Sequence, residues 1–175
     1  MNDQPLMPSE VRQKVLSQHR EIEQMLSELE TGVAQLGTGA VDAGQVKLSE
    51  LETGVAQLGT GAVDAGQVKR AAYALRGILE LHMKFEEAHL APAIEEADGF
   101  GPERVRHLYS EHADQRKQLD ALVDAIREAG SPDDLASGVA KLAAMLRVDI
   151  EEEEREYVTD SLLRDSIIPS DTFGG

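Results

Sequence analysis

The sequence contains no cysteine and no tryptophan, and only 3% of its residues are aromatic. Without cysteine the chain cannot form a disulfide, a thiolate zinc site or an iron–sulfur cluster. Any metal ion that it binds must therefore be held by histidine, aspartate and glutamate. The scarcity of aromatic residues, together with an abundance of Leu, Ala, Glu, Lys and Arg, favours helices over strands.

Basic residues and long apolar runs are also scarce. The chain has 17 Lys and Arg against 33 Asp and Glu, which gives a formal net charge of −16. We expect no binding to nucleic acid or to an anionic membrane surface, because both require patches of Lys and Arg. No apolar run approaches the roughly 18 residues that span a bilayer, and residues 1–10 do not resemble a signal peptide. The expected location is the cytoplasm, and the sequence leaves the oligomeric state open.

Two consecutive segments of the chain, residues 26–47 and 48–69, are identical letter for letter. Two copies are too few for a solenoid, which needs at least about three repeats. The pattern indicates a tandem duplication, natural or engineered, whose excess falls roughly at 37–58. We expect this excess to form an insertion between the first two helices and to carry no chemistry.

Capping residues and apolar spacing predict four helices in the rest of the chain. Helix A begins after Pro8-Ser9-Glu10 and ends near Gln35, helix B covers Asp64 to Ala97, helix C runs from Gly101-Pro102 to Gly130, and helix D runs from Ser131 to about Tyr157. Each helix has an apolar stripe, such as Leu75, Ile78 and Leu79 on helix B. We predict one all-α domain over 1–165, an antiparallel up-down four-helix bundle with the duplicated segment between helices A and B, and an irregular tail at 166–175.

Polar residues interrupt the apolar stripes on all four helices: His19 on A, His82 and Glu86 on B, His112 on C, and Asp149 and Glu153 on D. Positions four apart lie on one face of a helix, so helices B and D each direct two donors inward. Buried carboxylates that face one another are costly unless a cation lies between them. The pattern therefore predicts a metal site in the core of the bundle.

Each of these residues also has an ordinary structural interpretation. A lone His in an apolar stripe is more often a hydrogen-bonded core residue than a ligand, and the acidic run at 151–154 would by itself be a solvated face. The co-occurrence on four helices favours the metal site. The two halves of the chain also correspond: His19 precedes His82 by 63 residues, or 41 without one copy of the duplicated segment, and His112 precedes Asp149 by 37.

This order of residues resembles the hemerythrin-like HHE cation-binding domain family, over roughly Val11 to Val158. The most specific stretch is LELHMKFEEAHLAP on helix B. The resemblance implies two iron ions joined by an oxo or hydroxo bridge, with His19, His82 and His112 as nitrogen ligands and Glu86 and Glu153 as bridging carboxylates. It also implies a protein that binds or senses O2, or that handles iron, peroxide or nitric oxide, with these small molecules as its partners.

The chain departs from the family pattern on helix D, where the family has His and this chain has Asp149. Aspartate can bind iron, so Asp149 is either a sixth ligand or the mark of a half-empty site. An additional carboxylate favours Fe(III), which makes iron oxidation, peroxide chemistry or redox sensing a better expectation than reversible O2 carriage. The alternative to a diiron protein is a helical interaction module that is metal-free or binds zinc.

Three further residues are weaker candidates for a role near the site. His89 follows His82 by seven residues and is a possible additional ligand, although a core or surface role is the commoner one. Tyr157 follows Glu153 by four residues and could hydrogen-bond to the site. His107 lies off the face of His112 and is expected to be exposed. The sequence identifies no catalytic residue and leaves open whether the protein is an enzyme.

Overall fold

The structure of the chain is a computed structural model that describes residues 6–37 and 64–165. These residues form helices joined by short turns and contain no β-strand. The helices are α1 (Pro8–Gly37), α2 (Ala65–Phe85), α3 (Ala91–Glu95), α4 (Gly101–Glu128) and α5 (Pro132–Glu156). A π-helical turn, Glu86–Leu90, joins α2 to α3, and together these segments correspond to predicted helix B. The all-helical, four-helix architecture is confirmed. Most of the predicted insertion and the tail at 166–175 lie outside the described residues.

Local sequence signals account for the ends of these helices. Asp64 caps α2 in a reciprocal pair with Gln67, in which each side chain accepts from the backbone amide of the other at 2.8 Å. Ser131 caps α5 by accepting from the amide of Asp134 at 3.1 Å. Gly101 begins α4 so close to α3 that a Cβ atom there would lie 2.1 Å from the carbonyl oxygen of Glu95. Only glycine permits this tight turn.

Predicted helix B is not a regular α-helix throughout. At its π turn, the amide of Ala91 donates to the carbonyl of Glu86, five residues earlier. Pro92 follows immediately, and in a regular α-helix its ring would clash with the carbonyl of residue 88. The wider turn relieves this clash and rotates the residues that follow it around the helix axis. The sequence analysis missed this feature, although Pro92 was its signal.

Contacts between helices establish an antiparallel order. Arg12, near the start of α1, contacts Asp160 after the end of α5, whereas Glu30, near the end of α1, binds Arg147 of α5. In the pairs between α2 and α4, and between α4 and the α5 segment, the residue number rises on one helix as it falls on the other. These pairs are Arg76–Asp120, Glu80–Arg116, Gln115–Asp149 and Glu111–Tyr157. The four helices therefore alternate up and down around the core.

A layer of buried polar side chains divides the core into two apolar clusters. The larger cluster includes Leu26, Leu75 and Leu142, and the smaller one includes Leu90 and Leu108. α1 and α4 each contribute to both clusters, as does the continuous segment from α2 through the π turn to α3, and the chain after α5 reaches the smaller cluster at Tyr157. Ile78, predicted to belong to the apolar stripe of helix B, is 37% exposed, so that prediction is wrong. Within the described ranges, no helix has the length and apolar character needed to cross a membrane.

Candidate metal centre

Five side chains from all four helices meet in the polar layer: His19, His82, Glu86, His112 and Glu153, hereafter the five-residue centre. All five are buried, and Glu86 and His112 are completely inaccessible. One ligand atom from each of His19, His82, Glu86 and Glu153 lies within 4.8 Å of the others. His112 joins them from α4, with its Nε2 atom 3.2 Å from Glu86 Oε2. The structure thus brings together five of the six residues that the sequence predicts.

The two carboxylates divide their oxygen atoms between two sides of the centre. On one side, Glu86 Oε1 is 3.4 Å from His82 Nε2, and Glu153 Oε2 is 3.2 Å from His19 Nε2. On the other side, Glu86 Oε2 and Glu153 Oε1 lie 3.2 Å and 3.7 Å from the Nε2 atom of His112. Each carboxylate therefore presents one oxygen to the His19–His82 side and the other to the His112 side.

The outer nitrogen of each imidazole has a hydrogen-bond partner outside the centre. Nδ1 of His19 donates to Glu154 Oε1 at 2.9 Å, and Nδ1 of His112 donates to Glu87 Oε1 at 3.0 Å. Nδ1 of His82 lies 3.1 Å from the amide oxygen of Gln18. Because these oxygens only accept, each Nδ1 atom carries a proton, and Nε2 is the atom that each imidazole could offer to a metal ion. This is the arrangement of a metal-binding imidazole.

Sequence reasoning did not identify these outer partners, although all three are sequence neighbours of centre residues. Gln18 precedes His19, Glu87 follows Glu86, and Glu154 follows Glu153. Glu87 is itself held by Arg116, whose guanidinium lies 2.9 Å from it. A residue next to an inward-facing position on a helix lies at the edge of that face. Its side chain can therefore reach an imidazole that comes from a neighbouring helix.

Several inward atoms of the centre have no hydrogen-bond partner among the described residues. They are His19 Nε2, both carboxylate oxygens of Glu86, and His112 Nε2. Their neighbours are close, but they are not aligned for hydrogen bonding. An unsatisfied buried polar atom costs about 1–3 kcal/mol, and more when it is charged. Four such atoms in one layer of the core fit cation binding, which would satisfy them.

The pKa values in the centre reflect the competition between burial and opposite charge. Burial raises the pKa of Glu86, and the negative charge of Glu153 raises it further. Burial also acts to raise the pKa of Glu153, but the surrounding imidazoles outweigh it and hold that pKa well below its usual range. Burial acts to lower the pKa of His112, but the carboxylates of Glu153 and Glu86 raise it to about 10. The centre thus favours positive charge beside Glu153.

Comparison with known protein families shows which family the chain belongs to. Residues 13–160 match the hemerythrin HHE cation binding domain. The chain belongs to the hemerythrin HHE cation-binding family. This match covers most of the sequence and confirms the resemblance that the spacing of His and Glu had indicated. Searches of curated proteins and of solved structures gave no match. The family is one of cation-binding domains, and the five-residue centre is the candidate cation site of this chain.

Asp149 lies beside the five-residue centre. It does not belong to the group of His19, His82, Glu86 and Glu153, whose ligand atoms lie within 4.8 Å of one another. It is partly buried, and its Oδ2 atom accepts a hydrogen bond from Gln115 Nε2 at 2.9 Å. Burial raises the pKa of Asp149, the hydrogen bond from Gln115 opposes this rise, and the nearby charge of Glu153 adds to it. In the conformation described, Asp149 is engaged by Gln115 rather than directed at the imidazoles.

The three weaker candidates lie around the centre rather than in it. His89 is exposed, and its ring packs on Phe85 at a centroid distance of 4.7 Å, because the π turn rotates it away from the face of His82. The hydroxyl of Tyr157 donates to Glu111 at 2.8 Å and lies 2.6 Å from Nδ1 of His107. His107 is exposed, as predicted. Tyr157 is buried and packs in the smaller apolar cluster.

Proposed function

We propose that this protein binds two iron ions at the five-residue centre. The observation that carries the proposal is that buried Nε2 and carboxylate atoms without hydrogen-bond partners meet in one polar layer of the core. The split orientation of Glu86 and Glu153 supports two ions rather than one, because each carboxylate offers an oxygen to both sides. The set of nitrogen and oxygen donors, with no sulfur, suits iron.

The two proposed positions differ in their protein ligands. His19 and His82 would hold one ion together with Glu86 Oε1 and Glu153 Oε2. His112 would hold the other ion with the opposite oxygens of the same carboxylates. Asp149 would complete the second position, for which its carboxylate must leave the amide of Gln115. The second position thus has one imidazole fewer, and its sixth candidate ligand is engaged elsewhere.

The proposed activity is the binding or sensing of O2, or the handling of iron, peroxide or nitric oxide. Bound iron would supply redox chemistry and open coordination sites for such small molecules. The residues of the chain would fix the imidazoles through Glu154, Glu87 and Gln18, exclude bulk water with the two apolar clusters, and leave the His112 side less fully coordinated. We infer that small ligands bind on that side.

Iron stoichiometry tests the proposal. Protein reconstituted anaerobically with Fe(II) and then desalted should retain two iron ions per chain, and exposure to air should produce a near-ultraviolet charge-transfer band. Fewer than one iron ion per chain after reconstitution would contradict the proposal. Replacement of both Glu86 and Glu153 by Gln provides the negative control, since it removes both bridging carboxylates while preserving side-chain volume.

A single-ion site is the second candidate. His19, His82, Glu86 and Glu153 alone provide four mutually close ligand atoms, which is the number that a tetrahedral zinc site requires. This alternative predicts one zinc ion per chain and unchanged zinc binding in His112→Ala. The diiron proposal predicts instead that His112→Ala loses about half of the iron.

The contrasting hypothesis is a metal-free interaction module. It differs from the diiron proposal in the melting temperatures that it predicts in the presence of iron. If no metal binds, His82→Ala and Glu86→Ala should leave the melting temperature equal or higher in the presence of added iron. If iron binds, both substitutions should abolish the rise in melting temperature that iron produces in the wild type.

A further inference from the structure

An acidic cavity of about 280 Å³ lies between α4 and α5 and ends at the centre. Its outer wall is formed by exposed residues such as Ser110, Asp114 and Glu152, and its inner wall includes partly buried Asp149 and buried Glu153. We name it the α4–α5 cavity. Because its lining passes from exposed to buried residues, the cavity connects solvent with the proposed ligands.

The charge of the lining is of one sign. None of the described lining residues is Lys or Arg. Five of them are carboxylates: Glu111, Asp114, Asp149, Glu152 and Glu153. Two of the outer carboxylates also contact cations from outside the lining, Asp114 with Lys117 at 2.8 Å and Glu152 with Arg155 at 3.8 Å. Among the described residues, no Lys or Arg forms an ion pair with the inner carboxylates Asp149 and Glu153, so the field within the cavity attracts cations and repels anions.

Glu153 links the cavity to atoms that lack partners. It is more than nine-tenths buried and forms part of the cavity wall. Its Oε1 atom is 3.7 Å from His112 Nε2, which is completely buried and has no hydrogen-bond partner among the described residues. The acidic lining therefore leads to an unsatisfied nitrogen donor. A surface cluster of carboxylates without such an endpoint would carry no functional inference.

We propose that the α4–α5 cavity is the route by which hydrated divalent cations reach the five-residue centre. This inference rests on the proposed function, since it requires that the centre bind metal. The outer carboxylates attract the cation, Asp149 receives it where Gln115 now donates to its carboxylate, and Glu153 passes it to His112. Asp149 in this chain thus extends the acidic lining as far as the centre, where an imidazole would interrupt it.

The rate of metal loading tests the route. The variant Glu111→Gln/Asp114→Asn/Glu152→Gln neutralises three outer carboxylates and leaves the five-residue centre and Asp149 intact. Stopped-flow mixing of the metal-free protein with Fe(II), followed by competition with a chromogenic chelator, measures the association rate. We expect the variant to load at least about tenfold more slowly at low ionic strength, because electrostatic focusing in a cleft raises association rates by 10–1,000-fold. Its final iron content should equal that of the wild type.

A matched control separates a local effect from the effect of net charge. Asp124→Asn/Glu128→Gln/Asp133→Asn removes the same charge from exposed positions near the end of α4 and the start of α5, away from the cavity. It should load at nearly the wild-type rate. A second variant, Ser110→Trp, obstructs the outer wall without changing charge and should also slow loading while leaving final iron content unchanged.

The outcomes distinguish the route from the function. If the wild type loads iron and the cavity triple variant loads at the same rate as the control triple variant, the route is wrong and the metal centre stands. Equal slowing in both triple variants also overturns the route, since it attributes the effect to total charge. If the wild type binds no Fe(II), both the proposed function and the route are overturned.

Discussion

The two sides of the five-residue centre come from two corresponding halves of the chain, but they differ in the side chains that they supply. On the α1–α2 side, His19 and His82 both direct their Nε2 atoms inward, beside Glu86 and Glu153. On the α4–α5 side, His112 stands alone, and Asp149, at the position that corresponds to His82, accepts a hydrogen bond from Gln115. The α4–α5 side therefore has one imidazole fewer than the α1–α2 side, and Asp149 in its place lines the α4–α5 cavity.

Removal of a shared carboxylate should have the largest effect, because it damages both sides at once. Glu86→Gln keeps the volume of the side chain, but we expect it to lower iron affinity by more than the roughly 10–100-fold that outer partners contribute. The metal-free variant should melt at the same or a higher temperature than the metal-free wild type at neutral pH, because burial and the charge of Glu153 raise the pKa of Glu86, so its charged form destabilises the fold. Isothermal titration and thermal melts with and without iron measure both effects.

Glu28→Gln is the matched control for this experiment, since Glu28 also has a buried oxygen without a hydrogen-bond partner but lies outside the centre. It should leave iron binding unchanged. Iron affinity within about threefold of the wild type in Glu86→Gln would rule out a ligand role for Glu86.

Removal of a single imidazole should separate the two sides. We expect His112→Ala to retain the ion of the α1–α2 side and to bind about one iron ion per chain, because His19 and His82 remain. We expect His82→Ala to weaken that ion while leaving His112 in place. Iron analysis of the desalted proteins checks the prediction. Loss of all iron in both variants would show that the two sides bind as a unit, contrary to the asymmetry described above.

Restoration of the imidazole on α5 should make the two sides alike. Asp149→His replaces the carboxylate engaged by Gln115 with a neutral nitrogen donor, and we expect it to raise the affinity of the weaker iron position by on the order of tenfold. Stepwise anaerobic titration followed by optical spectroscopy measures this affinity. Asp149→Asn is the control, since it removes the charge without adding a ligand nitrogen. Equal affinity in Asp149→His and Asp149→Asn would contradict the prediction.

Changes in the outer partners should have smaller effects. Glu87→Gln and Glu154→Gln weaken the hydrogen bonds that orient His112 and His19, and each should lower iron affinity by about 10-fold. Because Gln18 is neutral, Gln18→Glu should act in the opposite direction, by making His82 a stronger donor. The iron titrations of the three variants can be compared directly. An increase in affinity in either Gln variant would contradict the assigned roles.

The smallest expected effect is the pH dependence of the metal-free protein. The raised pKa of His112, about 10, stabilises the fold fully below the usual value of 6.5. This contribution decreases as pH rises from 6.5 through about 10, so the melting temperature of the metal-free protein should fall over that range. His112→Ala should reduce the slope. Iron binding requires neutral His112, so the loaded protein should show a flatter profile and loading near neutral pH should release protons.

The helix positions and most of the centre could be predicted because their signals are local. Asp64, Ser131 and Pro102 mark helix starts whatever the rest of the chain does. His82 and Glu86 share a face because of helical spacing alone. The carboxylate oxygens, by contrast, are oriented by contacts between helices. No spacing rule predicts that one oxygen of Glu86 lies near His82 and the other near His112.

The features that sequence reasoning missed depend on competition between groups. Pro92 disrupts regular helical bonding and thereby moves His89 to the surface, where it packs on Phe85. The carboxylate of Asp149 can be directed at the centre or accept a hydrogen bond from Gln115, and sequence spacing does not predict which contact forms. Ile78 fits an apolar stripe by its periodicity, but it lies at the edge of the buried face. Such outcomes depend on which neighbours another helix supplies.

Anomalous diffraction at the iron absorption edge, from crystals of the reconstituted protein, tests the central claim most directly. The account predicts two peaks within the polar layer, one beside His19 and His82 and the other beside His112, with Glu86 and Glu153 between them. A single peak bound by His19, His82, Glu86 and Glu153 would contradict the diiron proposal. Peaks confined to surface carboxylates, with the five buried side chains unchanged, would contradict the metal centre itself.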